Sequence, residues 1–276
     1  SLENDGDLTL FPVGSGSAFG KSLFQNNWLI IKGKDHILID CGTKAPLALH
    51  QLGLKITDIK TFLITHSHAD HIGGLEEAML MNRYVAREKA SIVLTKTFQD
   101  VLWNFSLKGG AAFNETHANK ELQFADMWKI KRPKYMSPYP RETFEANIGR
   151  INIKLVRTRH FPEQAKSWET SFFSVGLIID NRILFSGDTQ FDPELIYSYD
   201  EIFHFERIFH DAQLFTGGIH SSIDELATLS PEIKSRMLLM HYQDTFKDHT
   251  EKIKKEGFLG FAKQWYFYTF PNTESL

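Results

Sequence analysis

The chain contains one cysteine, Cys41, in 276 residues, so no disulfide can form within it and a reducing compartment is expected. No apolar run approaches the ~18 residues that a membrane-spanning helix requires, which argues against a membrane protein. Residues Ser1 to Asp7 are polar and acidic and lack the apolar stretch of a secretion signal, so the cytoplasm is the expected location. An excess of one charge is also missing. With 31 Lys and Arg against 34 Asp and Glu, the formal net charge of −3 offers no global attraction to nucleic acid or anionic lipid. Tandem repeats and low-complexity segments are absent as well.

What is present is material for a large core. Apolar residues make up 42% of the chain and include 23 phenylalanines, taken mainly as core, and one α/β domain spanning 1–276 is expected. Alternating and short apolar runs predict strands at Leu8–Val13, Asn27–Lys32 and Asp35–Asp40, then a helix over Ala45–Leu52. Cys41 follows the third of these strands and reads as a small buried filler. Gly14-Ser15-Gly16-Ser17-Ala18 reads as a loop whose backbone amides can approach a ligand, although a plain turn explains it as well. Helices are expected over Gly74–Lys89 and Thr97–Phe105. Between about 108 and 150 the pattern degrades into Gly, Pro and charge, which suggests an inserted cap or surface loop region. Strands resume at Ile151–Arg157, Ser171–Ile179, Arg182–Ser186, Arg207–His210 and Arg236–Met240.

The densest chemistry lies at Thr65-His66-Ser67-His68-Ala69-Asp70-His71-Ile72-Gly73-Gly74, directly after the apolar run Thr61-Phe62-Leu63-Ile64. Imidazole nitrogen and carboxylate oxygen are the usual donors to borderline divalent metals, and burying three imidazoles beside an acid is costly without a cation. If the apolar run is a strand, His66 and His68 point the same way, and Asp70 and His71 follow one turn later, placed to face a second metal. Further polar residues close the later strands: His160, Asp188, Asp211 and His241. Ligands collected at one sheet edge are where an α/β architecture places its active site.

Taken in order, Leu38-Ile39-Asp40-Cys41-Gly42, the His66–His71 block, Arg159-His160-Phe161, Phe185-Ser186-Gly187-Asp188-Thr189 and Leu239-Met240-His241-Tyr242 resemble the metallo-β-lactamase superfamily. The resemblance implies a four-layer αβ/βα sandwich and two divalent metal ions, most naturally Zn2+, with Mn2+ or Fe also accepted by this donor set. It assigns His66, His68 and His160 to one ion and Asp70, His71 and His241 to the other. Asp188 would bridge them, and Asp40 would support the site from behind. The nucleophile is expected to be a hydroxide held between the ions.

Phe209-His210-Asp211-Ala212 and His220-Ser221-Ser222-Ile223-Asp224-Glu225-Leu226 further resemble the phosphodiesterase branch that includes ribonuclease Z. There, a histidine corresponding to His220 contacts or protonates at the scissile phosphate, and an acid corresponding to Asp211 orients it. Asp70, Asp211 and His220 are accordingly the expected catalytic residues. The leading expectation is a binuclear phosphodiesterase acting on a nucleotide-type diester, with RNA weakly supported and a homodimer compatible. An ester, thioester or lactone hydrolase with the same metals is the alternative, as is a non-enzymatic di-metal sensor, di-iron included.

Overall fold

Five-residue apolar runs at the start of the chain form strands because each can be buried on both faces, as Leu8–Pro12 is throughout. The computed structural model describes residues 1–272. In chain order its strands are β1 (Leu8–Pro12), β2 (Trp28–Lys32), β3 (Asp35–Ile39), β4 (Thr61–Leu63), β5 (Ser91–Val93), β6 (Thr116–His117), β7 (Lys120–Glu121) and β8 (Lys129–Lys131). They continue as β9 (Lys134–Met136), β10 (Thr143–Ile148), β11 (Ile151–Arg157), β12 (Val175–Ile179), β13 (Ile183–Phe185), β14 (Arg207–Asp211), β15 (Met237–Met240), β16 (Gly260–Phe261) and β17 (Tyr268–Phe270). Two units divide them. The first holds Ser1–Gly14, Asn27–Pro133 and the described residues from Trp265, and the second holds Ser15–Asn26 and Lys134–Gln264.

The first unit carries a seven-stranded sheet in the order β17-β1-β2-β3-β4-β5-β8. Strands β1 to β3 form an antiparallel meander, after which β3, β4, β5 and β8 run parallel. Parallel neighbours need crossovers, and helices supply them: Ala45–Gln51 between β3 and β4, then Ala69–Ile72 and Leu75–Leu80 between β4 and β5. A wider turn carries the last of these on to Ala86, where Arg87 at φ 55° ends it just short of the expected Lys89. The helix Lys96–Leu102 starts where Thr95 accepts the Phe98 amide at 3.2 Å.

The second unit carries an eight-stranded sheet in the order β16-β15-β14-β13-β12-β11-β10-β9. It is antiparallel from β9 to β13 and parallel from β13 to β16. Strands β11, β13, β14 and β15 therefore all point one way, and the segments leaving their C-terminal ends share one edge. The helix Pro193–Phe203, opened by Asp192 as its cap and by Pro193, buries Leu195, Ile196 and Tyr199. Those side chains join Ile178, Leu184, Ile208 and Leu239 in the unit's core, where each aliphatic side chain contributes roughly 1.5–3 kcal/mol.

The α/β class is borne out, and Cys41 is fully buried, with burial pushing its thiol pKa far up. Residues 108–150 contain β8, which closes the first sheet, and β9 and β10, which open the second. Within this stretch Trp128 is core, whereas Phe113 and Tyr135 are exposed. Phenylalanine is less uniformly internal than its abundance suggests, since Phe19, Phe105, Phe161 and Phe215 are also exposed. Among the described residues no helix is long and apolar enough to cross a membrane.

Candidate metal centre and catalytic site

In the first unit β3 and β4 are parallel, pairing Ile39 with Leu63, so Asp40 and Thr65-His66 leave the sheet at the same edge. Asp40 takes a left-handed backbone, φ 61°, unusual for a residue with a side chain. Three bonds hold it there. Its carboxylate accepts the Thr65 amide at 2.7 Å, the Thr65 hydroxyl at 2.8 Å and the His71 Nδ1–H at 2.6 Å. Burial raises the Asp40 pKa, with the His71 and Thr65 contacts offsetting part of that rise. With Nδ1 committed to Asp40, His71 presents Nε2, which lies 3.1 Å from Asp70 Oδ2.

His66 bonds Thr65 Oγ1 through Nδ1 at 3.0 Å, and its Nε2 lies 3.0 Å from His68 Nδ1. The His66 and His71 rings are 4.0 Å apart between centroids. Two nitrogens sharing a tetrahedral zinc are roughly 3.3 Å apart, so the spacing of His66 and His68 suits a shared cation. Gly73-Gly74 joins the two short helices at near-helical φ values of −62° and −90°. Their use is close approach: a Cβ on Gly74 would meet the Gly42 carbonyl oxygen at 2.6 Å. Asn27, which sequence reasoning did not single out, ties this corner together. It donates to the Asp70 carbonyl at 3.0 Å and accepts the Gly42 amide at 2.9 Å.

In the second unit His160, Asp188, Asp211 and His241 lie at or just beyond the C-terminal ends of β11, β13, β14 and β15. Asp188 Oδ2 stands 3.8 Å from His160 Nε2, 3.4 Å from His241 Nε2 and 3.9 Å from His220 Nδ1. His160 donates Nδ1–H to the Ile219 carbonyl at 2.9 Å, which leaves Nε2 as its ligating nitrogen. His220 Nδ1 lies 2.7 Å from Asp211 Oδ2, which also accepts the Thr189 amide at 3.0 Å. The other oxygen of Asp211 accepts no hydrogen bond and lies 3.5 Å from His241 Nδ1. Donor atoms of Asp188, Asp211, His220 and His241 all fall within 4.8 Å of one another, and only His220 is more than marginally exposed. Two buried carboxylates this close are costly without positive charge nearby, so the residues suit a cation. His210, next to Asp211, stays outside the cluster and bonds the Asp211 carbonyl at 2.8 Å.

The structure thus gathers His66, His68, Asp70 and His71 in one unit and His160, Asp188, Asp211, His220 and His241 in the other. These His and Asp clusters are compatible with a dinuclear metal site.

A family profile described as anti-Pycsar protein Apyc1 matches residues 8–268. A protein of that name from Bacillus phage BSP38 is 37% identical over 261 residues, covering 91% of this chain and 94% of its own length. Another, from Paenibacillus sp. (strain J14), is 33% identical over 264 residues, covering 95% and 99%. Among solved structures, the metallo-β-lactamase fold protein YhfI of Bacillus subtilis superposes with a TM-score of 0.68 at 14% identity, over 96% of this chain and all (100%) of that one. A diphosphatase of the PhnP family gives 0.70 at 15% identity, over 96% and 97%. The short form of human tRNase Z gives 0.64 at 16% identity, over 96% and 100%. The fold is therefore the metallo-β-lactamase fold, as the five sequence motifs implied.

Proposed function

This chain belongs to the anti-Pycsar protein Apyc1 family, and from that premise we propose that it is a metal-dependent phosphodiesterase of small nucleotide-type diesters. The fold is shared with proteins named for a diphosphatase and for tRNase Z, but a fold alone does not choose a reaction. The choice rests on one observation, the 2.7 Å contact of His220 with Asp211 beside Asp188.

In this reading His66, His68 and His160 would hold one cation, Asp70, His71 and His241 would hold the other, and Asp188 would serve both. Zn2+ suits a donor set so rich in imidazole. Divalent cations bound there supply Lewis acidity toward a phosphoryl oxygen and acidify bound water. The chain's own residues do the rest. Asp40 fixes the tautomer of His71, and the Ile219 carbonyl does the same for His160. Asp211 holds His220 through Nδ1, so Nε2 is the nitrogen that gives a proton to the departing alkoxide. A small substrate is favoured over RNA because a net charge of −3 provides no field for a polyanion.

The test is to strip the protein of metal, reload it with Zn2+ or Mn2+, count bound ions by elemental analysis, and assay a panel. The panel contains a cyclic nucleotide, a linear dinucleotide, a nitrophenyl ester, a thioester and a lactone. Two ions per chain with metal-dependent cleavage of a diester are expected. Cleavage confined to the esters, or metal uptake without any turnover, overturns the proposal.

A further inference from the structure

His241 has a left-handed backbone at φ 61°, which a residue with a side chain keeps only where its neighbours hold it. The neighbours are identifiable. The His241 amide donates to the Ser15 carbonyl at 2.9 Å, and the Ser17 amide donates to the Tyr242 carbonyl at 3.0 Å. The Tyr242 hydroxyl donates to the Ala262 carbonyl at 2.6 Å and meets the Ser15 hydroxyl at 3.0 Å. Ser15, His241 and Tyr242 are all buried.

The same segment is fastened a second time, further out. Asp244 Oδ2 accepts the Lys21 amide at 2.8 Å, while Oδ1 accepts the Ser22 amide at 3.0 Å and the Ser22 hydroxyl at 2.6 Å. Small residues suit this approach. A Cβ on Gly20 would lie 3.1 Å from Asp244 Oδ1, and one on Gly16 would lie 3.0 Å from the Leu23 side chain. Ser15-Gly16-Ser17 thus lies against the chain around His241, with Asp244 as the outer fastening of the same segment.

We propose that Ser15–Ser22 is a strap, buckled by Asp244, that sets the backbone of His241 so that its ring can ligate a metal. Asp244 and Tyr242 are positioning residues in this scheme, and they act on one metal of the pair through His241. The inference rests on the reading of His241 as a metal ligand.

Zn2+ titrated into the metal-free full chain against a chromophoric chelator tests it, with wild type, Asp244→Ala, Asp244→Asn and Tyr242→Phe compared. Wild type should take up two equivalents. Asp244→Ala should keep one at wild-type affinity and bind the other ~10-fold or more weakly, the range seen when a ligand's support is lost. Asp244→Asn, which keeps an oxygen for Ser22, should recover part of that loss, and Tyr242→Phe should weaken the same equivalent. Wild-type affinity for both equivalents in Asp244→Ala and Tyr242→Phe would refute the strap. So would equal weakening of both equivalents with a collapse in melting temperature, since that is a general structural role. A wild-type chain that takes up fewer than two equivalents instead overturns the assignment of His241 itself.

Discussion

His220 and His210 stand ten residues apart in the second unit and differ in what their Nδ1 atoms touch. His220 Nδ1 meets the Asp211 carboxylate at 2.7 Å, whereas His210 Nδ1 meets the Asp211 main-chain carbonyl at 2.8 Å. His210 is fully buried, and burial lowers its pKa despite the nearby Asp211 carbonyl and charge, so it stays neutral. A histidine oriented by a carboxylate can accept and return a proton, and a neutral one sealed in the core cannot. His220→Ala should therefore lower kcat for a diester by about 100-fold or more, the usual range for a general acid. Elemental analysis should still find both ions in that variant, because the seven side chains assigned to the metals are intact. An unchanged kcat would remove His220 from the chemistry. The resemblance picked out His220, but nothing in the local sequence separates these two histidines. Both lie near Asp211 in the chain, and which one shares its carboxylate depends on the path of the loop from Gln213 to His220.

Among the elements, those with strong apolar patterning were legible, and those formed from polar residues were not. Strand β11 occupies Ile151–Arg157 as expected, since its alternation is clear and its burial follows. Lys129-Ile130-Lys131 carries no such pattern, yet it forms β8 because β5 offers it a parallel edge to pair with. The helix Pro193–Phe203 was overlooked, although Asp192-Pro193 is a recognisable start signal. This helix is pinned near its end by Asp200, which accepts two bonds from Arg236 at 2.8 Å each and the Phe205 amide at 2.9 Å. Burial alone would raise the Asp200 pKa, but the Arg236 and Phe205 bonds together outweigh it and hold the carboxyl below its ordinary 3.8. A carboxyl with a depressed folded-state pKa adds stability that is complete above its unfolded value and lost as the pH falls through the folded one. Asp200→Asn should thus be less stable than wild type by roughly 1–2 kcal/mol above about pH 5, since hydrogen bonds to a charged, partly exposed group are lost. The gap should begin to close as the pH falls below the ordinary 3.8 and go on closing as the pH passes through the depressed folded value, where wild type loses the same charge. Urea denaturation of both proteins at several pH values measures it. A gap independent of pH would mean that Asp200 acts through packing alone.

At the scale of the whole molecule, the donors assigned to the two ions come from seven side chains between His66 and His241, on strand ends far apart in the chain. The His- and Asp-rich block at 66–71 was readable as local chemistry, because consecutive candidate donors announce themselves. His160, Asp188 and His241 stood out only as lone polar residues closing strands, and their assignment to particular ions came from the resemblance, since nothing local marks a partner for any of them. Their convergence in the second unit follows from topology: β11, β13, β14 and β15 run in the same direction and end at one edge. Candidate donors so distant in the chain cluster only in the folded state, so cations should bind the native chain and not the unfolded one. Binding of that kind adds about 2.7 kcal/mol per site when free metal is at 100 times its Kd. For a chain of this size that corresponds to roughly 5–10 °C in melting temperature for one site. Differential scanning calorimetry of the chain with Zn2+ and after dialysis against a chelator should show a fall of at least that size, reversed when Zn2+ is restored. The shift should grow with free metal concentration as mass action demands. An identical melting temperature with and without chelator would mean that the clustered histidines and aspartates hold no ion in the native protein.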